Sequence, residues 1–148
     1  MNFKEIEGKP DRWTLEEIRE FYASIFERVD FDKFEKRIDE AEKLLINLAL
    51  SEEKIVGFKI GYRIAPKTFY SWVGGVDAQF RGRGIAAELM RRQHEWCAAN
   101  GFEIIRTKTM NRFKSMLILN LKNGFDITEV YRDSRAQIKI ILEKDLRG

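Results

Sequence analysis

The chain has 148 residues, the length of one ordinary domain, and a formal net charge of +3. Hydrophobic residues make up 44% and charged residues of both signs 34%, which gives material for a sizeable core and no dense basic stripe, so nucleic acid is not the expected partner. A single cysteine, Cys97, rules out an intrachain disulfide and a cysteine-based metal cluster.

The start, Met1-Asn2-Phe3-Lys4-Glu5, lacks the basic-then-apolar layout of a signal peptide. The apolar run 44–50 is far too short to cross a bilayer. The expected setting is therefore the cytoplasm, with no membrane partner. No linker, repeat or low-complexity segment breaks the chain, so one domain over 1–148 is expected.

Glu5 and its neighbours suggest a short first strand. Asp11 and Thr14 compete to cap the first helix, and Thr14 with Glu17 has the spacing of a capping box. Leu15, Ile18, Tyr22, Ile25, Phe26 and Val29 then recur at helical spacing. A second helix from about Phe31 carries Phe34, Ile38, Ala41 and Leu45 on one stripe. The segments 44–50, 55–64 and 69–76 read as strands, the first two joined by the polar turn Ser51-Glu52-Glu53-Lys54. A polar, glycine-bearing loop leads to a third helix with Ile85, Ala86, Leu89, Met90, Gln93, Trp96 and Cys97 on its apolar side, which Asn100-Gly101 can end. A strand over 102–110, a helix over 112–123 closed by Gly124, and strands near 128–131 and 137–143 follow. The order β-α-α-β-β-β-α-β-α-β-β describes an α/β fold with a mixed sheet.

The most informative segment is the loop Gln79-Phe80-Arg81-Gly82-Arg83-Gly84 between a strand and a helix. A helix start leaves about four backbone N–H groups without partners, at the positive end of the macrodipole. Glycines just before it let an anion reach those groups, and Arg81 and Arg83 add charge, which suits a pyrophosphate. The loop is neither Gly-x4-Gly-Lys-Ser/Thr nor Gly-x-Gly-x-x-Gly.

It resembles the Gln/Arg-x-x-Gly-x-Gly/Ala loop of the GNAT acetyltransferase superfamily. Lys54-Ile55-Val56-Gly57-Phe58 is similar to that family's second-to-third strand hairpin, and Lys122-Asn123-Gly124-Phe125 to its Lys-x-Gly-Phe helix ending. The resemblance covers nearly the whole chain. It implies a mixed, mostly antiparallel sheet of about six or seven strands flanked by about four helices, and direct transfer of an acetyl or other short acyl group from acyl-CoA to a primary amine of a small molecule or protein, without a metal. It further implies that Gly74, Gly75 and Val76 pair with pantetheine and polarise the thioester. Arg81, Gly82, Arg83, Gly84, Ile85, Ala86 and Ala87 would hold the pyrophosphate, and Asn111 and Ser115 would border the pantetheine arm. Arg112 and Lys114 are candidates for the 3′-phosphate. Assembly is left open, a homodimer being frequent among such proteins.

The chain departs from the family in one place. Many members carry Leu-Tyr-x-Lys-x-Gly-Phe, with the tyrosine as the proposed acid, whereas this chain has Asn120 there. Asn120 shares a helical stripe with Phe113, Met116 and Leu117, so it is expected to be buried and in need of partners. It either contacts the pantetheine and sulfur or is purely structural; Tyr131 or water are other proton sources. The base stays open among Ser71, Asp77, Glu27, Asp133 and a water chain. The same replacement keeps alive a non-catalytic acyl-CoA-binding module. His94, about 110° from its helix's apolar centre at 100° per residue, reads as a surface histidine. Cys97 reads as core, Trp13, Trp72 and Trp96 as packing residues, and Arg91-Arg92 as a solvated face. Phe21, Tyr22, Phe26, Phe31 and Phe34 are expected in the core or around an aromatic acceptor site.

Overall fold

The computed structural model describes all 148 residues. The elements are β1 (Asn2–Glu7), α1 (Arg12–Ile25), α2 (Phe31–Glu40), β2 (Glu42–Ser51), β3 (Lys54–Ala65), β4 (Thr68–Val76), α3 (Ile85–Ala99), β5 (Ile104–Thr109), α4 (Lys114–Lys122), β6 (Asp126–Arg132) and β7 (Ile138–Asp145). The predicted element order and the expected GNAT-like sheet are both present: seven strands in the order β1-β2-β3-β4-β5-β7-β6, antiparallel except for β4 against β5. No helix is long and apolar enough to cross a membrane.

The buried run in β2 has helices on both sides, so its alternate side chains enter different cores. Leu44, Ile46 and Leu48 pack with Leu15, Ile18, Phe34 and Ile38 of α1 and α2. Leu45 packs with Met90, Trp96 and Cys97 of α3, and Ala49 with Ile85 and Leu89. A strand buried on both faces reads as a continuous apolar run, which is what 44–50 shows.

Several boundaries and placements differ from the sequence reading. Asp11 caps α1, its Oδ1 accepting from the Thr14 N–H at 2.8 Å, so Thr14 lies inside the helix and its capping box does not form. The helix stops at Ile25; Phe26 is already extended and Val29 lies beyond. α2 ends at Glu40, and Leu45 belongs to β2, where pairing with β1 and β3 outweighs the helical repeat. Trp13, expected to pack, is 82% exposed at the start of α1 because that first turn projects past the sheet-facing stripe. Phe113, 43% exposed, precedes α4 and shares no buried stripe with Asn120, which is itself buried as expected.

One feature of the sheet sets up the site. β4 pairs with β3 from Thr68 to Val76, but with β5 only where Thr68–Ser71 meets Ile104–Thr107. Beyond Thr107, β5 continues beside β7 as far as Thr109. The sheet therefore splits, and one edge of the last five residues of β4 has no strand beside it.

Candidate functional site

Gly74, Gly75 and Val76 are the final residues of β4. Their β3 partners are Lys59, Phe58 and Gly57, so their other edge faces the split. Asn111 lies in the turn after β5, and it and Ser115 are exposed. Asn120 sits in the last turn of α4. Its carbonyl accepts from the Phe125 N–H at 3.1 Å, Gly124 has a φ of 92°, and Phe125 is anchored in the core under α3. The Lys-Asn-Gly-Phe ending thus fixes where α4 stops and where Asn120 stands.

After β4 a single tight helical turn, Ala78–Phe80, leads to the glycine loop. Gly82 and Gly84 have φ of 76° and 78°, a conformation L side chains adopt at a cost. A Cβ built at either would meet nothing within 4 Å, so the turn is open. Gly84 caps α3 without a side chain, and the first N–H of the helix to reach a carbonyl is that of Glu88, on Gly84 at 3.0 Å. The N–H groups of Ile85, Ala86 and Ala87 are left to a ligand or to water.

The arginines are held nearby. Arg81 Nε donates to the Val76 carbonyl at 3.3 Å. The Arg83 guanidinium lies 4.7 Å from the Phe80 ring and donates to the Gln79 carbonyl at 3.3 Å. The one acid in the first turn, Glu88, is bound by Arg91 and Arg92 at 2.6 Å each, and those hydrogen bonds lower its pKa to about 2. Arg91 and Arg92 thus form an ion-paired face, and their charge offsets the carboxylate nearest the open amides.

The candidate bases differ in their surroundings. Asp133 accepts from the Gln137 and Arg135 N–H groups, which hold its carboxyl below the usual carboxylate range. Asp77 caps the turn after β4, accepting from the Gln79 N–H at 2.8 Å. Ser71 is buried on β4 and Glu27 is exposed between α1 and α2. Tyr131, on β6, is half-buried with Lys108 Nζ 5.6 Å from its ring centre.

His94 corrects the sequence reading. It is only 8% exposed, because Phe125 and β7 close over the flank of α3 that a sheet-facing stripe leaves open. Its Nδ1 lies 3.2 Å from Lys144 Nζ, and burial, with help from Lys144 and Lys59, lowers its pKa to about 3. Cys97 is core as expected, and burial pushes its thiol well above the usual range. Trp96 is buried and donates to Glu7 at 3.0 Å, while Trp72 packs against Phe34 and Tyr62.

Two groups escaped the sequence reading. Under α3 lies a buried polar set comprising Asn47, Lys59, Gln93 and His94. Asn47, Lys59 and Gly74 are neighbours across three strands, Asn47 Oδ1 and both Gln93 amide atoms have no partner, and burial lowers the Lys59 pKa to about 8. The signal was a lysine in the alternation Gly57, Lys59, Gly61 of an otherwise apolar strand. The second group, on the opposite face, combines Tyr62, Tyr70 and Trp72 with Arg37 and Lys108.

A sheet divided between its fourth and fifth strands, with a glycine-bared helix start at the mouth, matches the architecture that the resemblance to GNAT acetyltransferases implies. The chain belongs to the GNAT family of acetyltransferases, whose family model matches residues 11–119. No match is found among curated protein sequences. Solved structures share the fold. An acetyltransferase of the GNAT family from Staphylococcus aureus aligns at TM-score 0.78 and 20% identity, over 98% of this chain and 99% of that one. The aminoglycoside 6'-N-acetyltransferase of Enterococcus faecium aligns at TM-score 0.80 and 12% identity, over 99% and 97%. A GNAT family acetyltransferase from Elizabethkingia anophelis, with acetyl-CoA bound, aligns at TM-score 0.75 and 16% identity, over 97% and 98%.

Proposed function

We propose that the protein transfers an acetyl, or another short acyl, group from acyl-CoA to a primary amine by direct attack. The observation that carries this reading is the set of open N–H groups at the start of α3, beside a β4 edge with no strand against it. The site residues suit such a co-substrate. The amides of Gly82 to Ala87, with Arg81 and Arg83, hold the diphosphate, Arg112 and Lys114 take the 3′-phosphate, and Asn111 and Ser115 border the pantetheine arm. Acetyl-CoA supplies the thioester: the C–N bond forms, the C–S bond breaks, the amine loses a proton to solvent and the departing thiolate takes one up.

This chain's residues orient that exchange. With the Gly75 N–H turned to β3 by strand alternation, the main-chain N–H groups of Gly74 and Val76 are the ones left for the carbonyl oxygen, where negative charge grows during attack. Asn120 donates hydrogen bonds but is no acid at neutral pH, so the thiolate proton comes from water or from Tyr131. The binding-module reading shares every feature except turnover. Thiol release from acetyl-CoA across an amine panel, beside calorimetry with coenzyme A, separates the two. Heat with release supports the transferase, heat without release under any amine supports the binding module, and no heat overturns both.

A further inference from the structure

The face of the split opposite α3 carries residues that a coenzyme A ligand does not need. Tyr70 and Trp72 belong to β4, and Tyr62 of β3 lies directly across from Tyr70 in register. The Tyr62 ring centre is 5.7 Å from that of Tyr70 and 6.2 Å from that of Trp72. α2 places the Arg37 guanidinium 4.9 Å from the Trp72 ring. On the other lip stands Lys108, the first residue of β5 past the last rung shared with β4, with Tyr131 of β6 beside it.

The charge of this cluster is uncompensated. Neither the Arg37 guanidinium nor the Lys108 ammonium has a carboxylate within salt-bridge distance, whereas nearby Arg63 and Lys139 are paired with Glu42 and Asp133. The adjoining hollow of about 610 Å³ adds Lys33, Lys36 and Arg63 against Glu40 and Glu42, and Glu42 is already paired with Arg63 at 3.3 Å. Cations clustered on one face repel one another unless an anion arrives, and they repel a purely cationic ligand, the more so at low salt. Tyrosine and tryptophan faces supply apolar area beside polar tips.

Resting on the transferase reading, we propose that the acyl acceptor is a small amine that also bears an anionic group and an apolar body, as an apolar or aromatic amino acid does. Arg37 and Lys108 take the anion, Tyr62, Tyr70 and Trp72 flank the body, and the amine turns toward the split. The amine then gains the acyl group as its C–N bond forms, and the thiol leaves.

The test measures thiol release from acetyl-CoA with L-phenylalanine, L-leucine and L-tryptophan, each beside its amide, and with phenethylamine. O-phosphoethanolamine beside ethanolamine asks whether phosphate serves as the anion. At least one anionic acceptor is expected to exceed its neutralised counterpart by about tenfold or more in kcat/KM, with the preference shrinking as salt rises. Lys108→Met and Arg37→Met are expected to raise the acceptor KM and leave the acetyl-CoA KM unchanged. Equal rates for acids and amides, or a preference for phenethylamine, overturn the inference.

Calorimetry on the coenzyme A-bound protein reads the same preference without turnover. Heat with the acids and not with their amides is expected alongside the faster turnover of the acids. Equal heat with acids and amides, or none with either, overturns it. No heat with coenzyme A itself overturns the parent reading, and this inference falls with it.

Discussion

Lys59 is held far from its comfort in water. It is buried without a carboxylate partner, and its pKa falls from 10.5 to about 8. Below pH 8 the lysine is charged in both the folded and unfolded states, and folding carries the full desolvation cost, about 3 kcal/mol for a shift of this size. Between pH 8 and 10.5 the unfolded chain binds the extra proton, so stability rises with pH. Lys59→Met is therefore expected to stabilise the protein by up to about 3 kcal/mol at neutral pH, with the gain shrinking above pH 8, as read by urea unfolding at several pH values.

His94 works at the other end of the scale. Between pH 6.5 and about 3 only the unfolded state takes up its proton, so stability is lost as pH falls through that window. His94→Gln is expected to flatten that acid limb in the same unfolding series. In the loop, Gly82→Val imposes a β-branched side chain on a φ of 76°. It is expected to weaken coenzyme A binding by about tenfold or more and to lower the melting temperature by a few degrees, the strain at that φ being felt although nothing is packed against the position.

At the level of elements, the β2–β3 connection is tight, with Ser51 paired to Lys54 and only Glu52 and Glu53 between them. Both have positive φ, 50° and 68°, the geometry that asparagine and glycine adopt more readily. Replacing the pair by Asn-Gly is expected to stabilise the hairpin by about 1 kcal/mol, measured as a shift in urea midpoint. That turn was legible as a turn because four polar residues separate two apolar runs. Strand positions were readable for the same reason: β2, β3 and β4 are dense in branched and aromatic side chains. Helix ends were less so. The apolar repeat of α1 continues through Phe26 and Val29, yet the chain turns away at Ile25, and only packing against the sheet decides where.

At the level of the molecule, the diphosphate loop was readable because its glycines and arginines are contiguous. The cationic and aromatic lip was not, because Arg37, Tyr62, Tyr70, Lys108 and Tyr131 come from five elements that only the sheet brings together. His94 was misplaced for a related reason: the elements covering it, β7 and the chain at Phe125, lie at least thirty residues downstream.

The short run of rungs between β4 and β5, four residues on each strand, has a mechanical consequence. The sheet is two slabs, β1 to β4 and β5-β7-β6, joined by a seam that stops partway along. A molecule lodged in the open part of that seam would act as mortar, and breathing between the slabs would slow when it is present. Amide hydrogen exchange along the last residues of β4 and at Lys108 and Thr109 of β5 is the gauge of that closure.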